Sequence, residues 1–444
     1  MHSNQLSKLT LFLWTSIILH GLCEAGEGRP IRVESILRRK PFVVVWNAPT
    51  YNCQTKYHID LDLSPFDIIV NQNESFRGDN MSIFYDKLGY YPFVDEQNVT
   101  WNGGIPQNGD LAAHLVKSRQ DIKKILPNRE FGGIAVIDWE KWKPIWERDW
   151  DAKTVYKRMS EDKVHKKHPR WPDKKVTLLA KQEFEQAARK YMQETLRLGQ
   201  LMRSQGLWGF YHFPYCYNYY SSKMMNYTGE CPDIEKARND ELSWLWHESK
   251  ALFPSIYLNI TLRSNDNVRK FVKHRVAEAI RVASSQAFPP DILAYSRIVY
   301  TFTFDFLVPK DLVHTIGESA SQGIAGVVLW GDAAYSESKV KCRALKKYIN
   351  DYLGPYVLNV TSAAKLCSRL LCSGNGRCAR RHSDSAAHLH LDPLVYRLAG
   401  HRLEIAEPRL AKQSELKFQE EFACRCYHGW SGQHCENHDN VDAV

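Results

Sequence analysis

The chain has 444 residues, which is enough for one large domain and one small domain. Its formal net charge is +9, and a positive surface attracts polyanions, so we expect an acidic partner. We do not expect that partner to be a nucleic acid, because the chain contains no nucleic-acid-binding motif. The alternative, a charge that only aids solubility, stays open.

The first residues have the pattern of a secretory signal peptide. Lys8 precedes an apolar run from Leu9 to Leu22, and small residues near Ala25 suit a cleavage site, so we expect residues 1–25 to be removed. No later stretch reaches the roughly 20 apolar residues of a membrane-spanning helix. Residues 437–444 form a mostly polar tail without a lipid-anchor signal. The expected location is therefore extracellular, with delivery to a lysosome as the alternative.

The cysteine content agrees with an oxidising compartment. The chain has 11 cysteines, and removal of the signal peptide with Cys23 leaves ten (11 − 1), an even number that suits disulfides. Sequons of the form Asn-x-Ser/Thr mark expected glycosylation sites at Asn73, Asn80, Asn98, Asn226, Asn259 and Asn359.

Short apolar runs alternate with helical patterns along most of the chain. The predicted strands are Pro41–Trp46, Ile83–Tyr85, Gly132–Ile137, Leu207–Phe213, Pro254–Leu258, Arg297–Phe304 and Ile324–Trp330. The predicted helices are Leu111–Ile125, Ala152–Ser160, Leu178–Gln205, Ile234–Leu252, Asn267–Ser285, Lys310–Gln322 and Ser336–Leu353. This alternation predicts a parallel sheet, and roughly seven or eight such units predict an α/β fold of the closed (β/α) barrel type over residues 26–358.

A basic segment interrupts the predicted helices between Lys163 and Lys175. It contains His165, His168 and two prolines, and we interpret it as a solvated loop. A metal site is not expected there, because no acidic or cysteine ligand has the required spacing. We expect neither a metal nor a cofactor elsewhere in the chain.

Two acidic residues follow the strand predicted at Gly132–Ile137. Residues two apart on a strand share a face, so Asp138 and Glu140 should point to the same side. Two adjacent carboxylates resist double ionisation, so one of them keeps a proton toward neutral pH, as a general acid requires. The alternative is a strand end with two solvated acids, but nearby tryptophans favour a sugar-binding cleft. In a (β/α) barrel this position lies at the carboxyl ends of the strands, where active sites form.

The chain changes character beyond Asn359, where six cysteines lie close together. Spacing alone leaves fifteen pairings open. The final C-x-C-x-x-G-(aromatic)-x-G-x-x-C pattern resembles an epidermal-growth-factor-like module, which we assign to residues 359–436 with a long insertion at residues 379–423. That resemblance implies the pairs Cys367–Cys378, Cys372–Cys424 and Cys426–Cys435.

Several ordered blocks resemble those of the animal hyaluronidases, and the likeness runs from about Pro41 to Glu436. The blocks are Gly133–Glu140, Trp208–Tyr211, Pro254–Tyr257 and Gly326–Gly331. The resemblance implies a distorted TIM-like barrel with the small disulfide-rich module, and the additional disulfides Cys53–Cys342 and Cys216–Cys231. It also implies a hydrolase of the hyaluronoglucosaminidase type, an endo-β-N-acetylhexosaminidase acting on hyaluronan, with chondroitin as a poorer substrate. Separately, we expect the protein to be a monomer.

The same resemblance implies roles for individual residues. Glu140 corresponds to the proton donor, and Asp138 to the acid that positions the acetamido group of the substrate. The cleft would be lined by Tyr211, Tyr257, Tyr295 and Trp330. Arg275 corresponds to a residue that meets a glucuronate carboxylate, which a guanidinium can bind through two hydrogen bonds. Without the resemblance, the residues alone favour reading Tyr257 and Trp330 as core aromatics at strand ends and Arg275 as one charge on a solvated helix face.

One position departs from the family pattern. The vertebrate members usually carry an acid in the motif Phe-Pro-Asp-Cys-Tyr-Asn. The corresponding run here is Phe213–Asn218, in which Tyr215 stands in place of that acid, before Cys216. The loss of a carboxylate near the cleft could change the pH profile, but it does not remove the donor.

Two other functions compete with hydrolysis of hyaluronan. One is a catalytically weak hyaluronan-binding matrix protein that keeps the cleft, and the other is a hydrolase that prefers chondroitin. The intact pair of Asp138 and Glu140 favours an enzyme over the binding protein.

Overall fold

The computed structural model describes residues 35–439 except residues 70, 222, 225 and 401. The expected signal peptide lies outside the described residues. In the described part of the chain, no helix is both long and apolar enough to cross a bilayer.

Strands and helices alternate along most of the chain. The strands are β1 Val43–Asn47, β2 Ile68–Ile69, β3 Met81–Phe84, β4 Phe93–Val94, β5 Thr100–Trp101, β6 Ile134–Ile137, β7 Leu207–Phe210, β8 Ala251–Leu252, β9 Asp291–Ser296, β10 Gly326–Trp330, β11 Gly376–Arg380, β12 Tyr396–Ala399, β13 Arg402–Ile405, β14 Phe422–Cys426, β15 Trp430–Ser431 and β16 Asn437–His438. The helices are α1 Tyr51–Thr55, α2 Leu111–Ile125, α3 Thr154–Lys167, α4 Asp173–Met202, α5 Asp233–Glu241, α6 Ser243–Glu248, α7 Asn267–Ser284, α8 Pro309–Leu312, α9 Glu318–Ser321, α10 Lys339–Tyr348, α11 Gly354–Leu371 and α12 Pro408–Glu421. π-helical turns, Val313–Gly317 and Ile349–Leu353, connect α8 to α9 and α10 to α11.

Two parallel sheets form the barrel wall. One has the strand order β2-β1-β10-β9-β8 and the other has the order β3-β6-β7. A parallel bridge between Tyr211 and Phe253 joins β7 to the segment after β8. On the opposite side, the Asn71 side chain donates to the carbonyl of Met81 and accepts from its N–H, which links the β2 and β3 segments. The strands therefore succeed one another around a TIM-like α/β barrel, as predicted.

The period-two alternation of strand side chains separates two apolar cores. On β6, Ile134 and Val136 point into the barrel, whereas Ala135 and Ile137 pack outward against the helices. Other strands add Val43, Val45, Ile68, Met81, Ile83, Leu207, Leu293 and Val328 to the inner core. An inner core of this kind fills the barrel, so any binding site has to form at one of its ends.

Several predicted elements were wrong in position or type. The strand predicted at Arg297–Phe304 lies one segment earlier, at β9, and Phe302 is 99% exposed in the loop that follows. The solvated loop predicted between Lys163 and Lys175 is largely helical, because α3 continues to Lys167 and α4 begins at Asp173. The long helix Ile234–Leu252 is divided into α5 and α6 and is followed by strand β8. The strand predicted at Pro254–Leu258 makes only a single bridge, between Ser255 and Tyr295.

The cysteine-rich C-terminal segment packs against the barrel. Strands β11 and β14 form an antiparallel pair, and the insertion between them holds the β12–β13 hairpin and α12. Helix α11 runs without a break across Asn359. Five disulfides join cysteines of the described residues, and their pairings coincide with those that the resemblances imply: Cys53–Cys342, Cys216–Cys231, Cys367–Cys378, Cys372–Cys424 and Cys426–Cys435.

Candidate active site

The end of β6 positions the two acids. The N–H of Asp138 donates to the carbonyl of Phe84 at 2.8 Å, so the β3–β6 hydrogen bonding continues one residue past the strand. Trp139 turns outward and stacks on Tyr91 with 4.4 Å between ring centroids. The acids on either side of this tryptophan therefore share the inward face, and the Glu140 side chain is 53% exposed at the open end of the barrel.

Asp138 is the acid that holds a proton. Burial raises the pKa of Asp138 to about 8, and the negative charge of Glu140 adds to this effect. Its Oδ1 atom is buried without a hydrogen-bond partner among the described residues. An ionised carboxylate without partners is costly in such a position, so the protonated form is favoured.

The pKa of Glu140, by contrast, is lowered. Partial desolvation acts to raise the pKa of Glu140, but the hydrogen bond from His212 and the positive charges of Lys143 and Lys153 outweigh it and lower the pKa to about 2. His212 Nδ1 lies 3.5 Å from Glu140 Oε1. The pair therefore carries one proton over a wide pH range, and without a bound ligand that proton resides on Asp138.

An aromatic cluster borders the two acids, and each member comes from the carboxyl end of a different strand. The ring of Tyr211 lies 4.9 Å from that of Tyr295 and 6.3 Å from that of Tyr257, and Tyr257 stacks on Trp330 at 6.4 Å. Tyr295 is buried and its hydroxyl has no partner among the described residues, so this side chain supports the floor of the cleft.

Arg275 belongs to the same end of the barrel but is not a solvated charge. It is 6% exposed, and it donates from Nε to Asn218 Oδ1 at 2.8 Å and from Nη1 to the carbonyl of Ser255 at 2.7 Å. Its guanidinium also lies 4.9 Å from the ring centroid of Tyr219. Atom Nη2 is buried and has no partner among the described residues, so the guanidinium keeps one unsatisfied donor that is not exposed in this structure.

Comparison with known proteins decides the family. A hyaluronidase family profile matches residues 31–439. The chain is also 46% identical to hyaluronidase-4 of Cerastes cerastes over 414 residues, a match that covers 91% of this chain and 92% of the relative. The hyaluronidase of Crotalus adamanteus is 46% identical over 412 residues, with the same coverage. The chain belongs to the hyaluronidase family.

Solved structures of this family share the fold. Bee venom hyaluronidase in complex with a hyaluronic acid tetramer has a TM-score of 0.65 and 33% identity, and the match covers 71% of this chain and 98% of the bee chain. A monoclinic crystal form of the bee enzyme gives a TM-score of 0.64 at the same identity. The chain is thus a glycoside hydrolase of the hyaluronidase family with a TIM-like fold.

Two residues of this hyaluronidase site escaped the sequence analysis. His212 follows Tyr211 directly and has a φ of +75°, a left-handed conformation that is strained for a side chain of this kind. Lys143 is buried, and its ammonium lies 4.9 Å from the ring centroid of Tyr215, the residue that replaces the usual acid of the family. Burial lowers the pKa of Lys143 to about 8, despite the attraction of Glu140. Proximity in sequence to Tyr211 and Glu140 was the only available signal for either residue.

No metal site accompanies these residues. Within the described ranges, no three His, Cys, Asp or Glu side chains come together in a way that could hold an ion.

Proposed function

We propose that this enzyme hydrolyses the β-1,4 linkage between N-acetylglucosamine and glucuronate in hyaluronan by substrate-assisted, retaining catalysis. The observation that carries the proposal is the pair of Asp138 and Glu140, which holds one proton at the open end of the barrel beside an aromatic cleft. Support for the substrate comes from the relatives, which are named hyaluronidases, and from the bee enzyme, whose complex contains a hyaluronic acid tetramer.

The spacing of the acids argues against direct inversion. An inverting pair of carboxylates holds a water molecule across about 6.5–9.5 Å, on opposite faces of the sugar. Asp138 and Glu140 lie two residues apart on one strand face, so neither reaches the opposite face of the sugar. The acetamido oxygen at C2 of N-acetylglucosamine can reach C1 and so replaces a protein nucleophile.

Binding of the substrate would move the proton to the donor. To orient the acetamido group, Asp138 must accept a hydrogen bond from the amide N–H, and it does so best when ionised. Its proton therefore passes to Glu140, the more exposed acid, which then protonates the leaving oxygen. Asp138 stabilises the positive charge that develops on the acetamido group, and Tyr211 helps to hold that group. In the second step Glu140 activates the water that opens the intermediate.

Three further side chains would bind the polymer around this centre. The stacked rings of Tyr257 and Trp330 offer an apolar face to a sugar ring. We also assign the contact with a glucuronate carboxylate to Arg275, whose unsatisfied Nη2 is buried and would have to become accessible when the polymer binds. The hydrogen bonds to Asn218 and Ser255 hold the rest of the guanidinium in place.

The remaining parts of the proposal concern the compartment and the C-terminal segment. We assign residues 359–436 to an epidermal-growth-factor-like module that carries a long insertion, and we propose a secreted, glycosylated monomer. Five of the six sequon asparagines are exposed: Asn73, Asn80, Asn98, Asn226 and Asn259. Asn359 is half-buried, and its amide exchanges two hydrogen bonds with the backbone of Leu391, so it is the poorest candidate for a glycan.

Turnover of hyaluronan by wild type and Glu140→Gln tests the proposal. Loss of a general acid typically costs about 10²–10⁴-fold in rate, so the variant should lose measurable turnover while it still binds hyaluronan. Chondroitin at equal concentration serves as the competing substrate. Wild type that binds hyaluronan without cleaving it would establish the alternative of a hyaluronan-binding matrix protein. Faster cleavage of chondroitin than of hyaluronan would establish the alternative of a chondroitin-preferring hydrolase.

A further inference from the structure

Helices α3 and α4 form a hairpin whose tip is strongly basic, and this feature has no role in the chemistry above. We call residues 158–175 the basic arm. Between residues 165 and 175 it carries five basic side chains, Lys166, Lys167, Arg170, Lys174 and Lys175, against one acid, Asp173. All five are exposed. A surface of this kind has a local positive potential that attracts polyanions.

Most of these cations form no ion pair within the described part of the protein. Lys167 lies 3.7 Å from Glu183, but over the described residues Lys166, Arg170 and Lys174 form no ion pair. The tip of the arm thus presents unpaired cations to the solvent.

The tip is an ordered structure rather than a loose loop. The ring of His168 stacks on Trp171 with 3.8 Å between centroids and 8° between planes. The ammonium of Lys175 lies 3.8 Å from the centre of the same tryptophan ring. These contacts hold the turn between the helices in one shape, which lowers the entropy lost on binding a ligand.

Contacts along α4 show that the arm projects from the catalytic end of the barrel. Near its last turn, Gly199 lies against Trp208 at the start of β7. Further back along the helix, Glu185 accepts from the N–H of Trp146, in the loop that follows the two acids. The first turns of α4 lie beyond this level and contact α3, for example through the hydrogen bond from Thr177 to Glu161.

Helix α3 begins next to the candidate active site. Lys153, immediately before α3, donates to the backbone carbonyl of Glu140. The 14 residues of α3 then span about 21 Å, at 1.5 Å per residue. The basic tip therefore lies up to about two nanometres, one length of α3, from the segment that contacts Glu140. A polymer can bridge such a separation, whereas a short oligosaccharide bound in the cleft does not.

We propose that the basic arm is a second binding surface for the anionic polysaccharide whose scissile bond lies in the cleft. This inference rests on the proposed function and extends it, since it assigns the arm to a distant stretch of the same substrate chain. Binding at two points of one polymer raises the local concentration of scissile bonds at the cleft. The arm should therefore lower KM for long chains without affecting kcat.

Matched charge-removing variants test the arm. The arm variant is Lys166→Gln, Arg170→Gln and Lys174→Gln combined. The control is Lys339→Gln, Arg343→Gln and Lys346→Gln, which removes two lysines and one arginine from the exposed face of α10. Each protein is assayed on high-molecular-weight hyaluronan and on a short hyaluronan oligosaccharide, at low and high salt, and for binding to phosphatidylserine vesicles.

We expect the arm variant to raise KM on the polymer by about three- to thirtyfold at low salt, since three exposed ion pairs each contribute a factor of less than about five. High salt should reduce the difference, because exposed charges are screened. The oligosaccharide kinetics and the control variant should match wild type. Equal losses in the arm and control variants, or no loss in either, would overturn the proposal while oligosaccharide cleavage still upheld the enzyme function. An arm variant that loses only vesicle binding would overturn it in favour of a membrane surface.

Discussion

At the amino ends of the barrel strands, the fully buried carboxylate of Glu318 accepts two parallel hydrogen bonds from Arg380, at 2.9 and 2.8 Å, and a third from Arg269 at 3.1 Å. At the carboxyl ends, the buried oxygen of Asp138 has no partner among the described residues. The first end thus pairs its buried charges within the protein. The second leaves a proton and several donors uncommitted, and we infer that a substrate completes them.

The C-terminal segment is attached at the first of these two ends, away from the candidate catalytic acids. Arg377 bonds to the carbonyl of Pro41, before β1, and to Asp291, the first residue of β9. Arg380 on β11 reaches Glu318, on the helix that precedes β10. The segment therefore docks at the amino ends of the strands, away from Asp138. In a (β/α) barrel, this end contributes to stability and the other to catalysis.

The largest expected effect on stability comes from breaking the buried ion pair between Arg380 and Glu318. Arg380→Met leaves Glu318 buried with a single arginine, and loss of one partner from a buried ion pair typically costs about 3–5 kcal/mol. We expect the free energy of unfolding, measured with denaturant, to fall by about that amount while kcat of the folded enzyme persists. Arg381→Met, at the exposed neighbouring position, is the control and should change stability little. A large drop in kcat with unchanged stability would contradict this division of roles.

Asp138→Asn should have the opposite effect on stability. Because the pKa of Asp138 is raised to about 8 in the folded protein, the folded state binds its proton more tightly than the unfolded state does. Its stabilising contribution is complete below about pH 4 and is lost as pH rises through about 8. The asparagine variant avoids this loss, so it should be more stable than wild type by about 1–3 kcal/mol at pH 7 and equal to it near pH 4.

Activity should change in the other direction in this variant. An amide can neither share the proton nor accept the acetamido N–H as a carboxylate does, so kcat should collapse in Asp138→Asn. In wild type, activity should decline as pH rises through about 8, when the pair loses its shared proton. Glu96→Gln, which neutralises an exposed acid, should change neither property. A variant that is both less stable and still active would contradict the assignment of Asp138.

These two ends were not equally predictable from the sequence. The acids at the catalytic end follow from local rules, since a buried strand with period two places Asp138 and Glu140 on one face. The approach of His212 to Glu140 depends on how β7 pairs with β6, and the Glu318 network depends on docking of a segment about 60 residues away (318 to 380). No local pattern encodes either contact.

The misassigned elements have a similar origin. Helix α3 buries Tyr156, Ser160 and Val164 at intervals of four, a clear helical pattern, but lysines and prolines nearby suggested a loop. Pro169 and Pro172 in fact confine the break to the five residues between α3 and α4. At Arg297–Phe304, an apolar run that packs as a loop was more prominent than the true strand β9 before it.

The smallest expected effect concerns His212. Glycine relaxes the backbone at φ +75° and removes the hydrogen bond to Glu140, so His212→Gly should raise the pKa of Glu140. We expect the acidic limb of the kcat/KM profile to move to higher pH by about one unit or less, because the contact is long at 3.5 Å. His212→Asn tolerates the same backbone and retains a donor, so it should move the limb less. Identical acidic limbs in all three proteins would show that His212 does not influence Glu140.

The configuration of the first product tests the central claim most directly. Wild type is mixed with hyaluronan, and the anomeric protons of the new reducing ends are followed by NMR before mutarotation equilibrates them. Substrate-assisted catalysis predicts that the N-acetylglucosamine at each new reducing end appears first as the β-anomer. It also predicts that N-deacetylated hyaluronan resists cleavage, because its amine cannot act as the internal nucleophile. Initial release of the α-anomer, or cleavage of the deacetylated polymer at a rate near that of hyaluronan, would contradict the account.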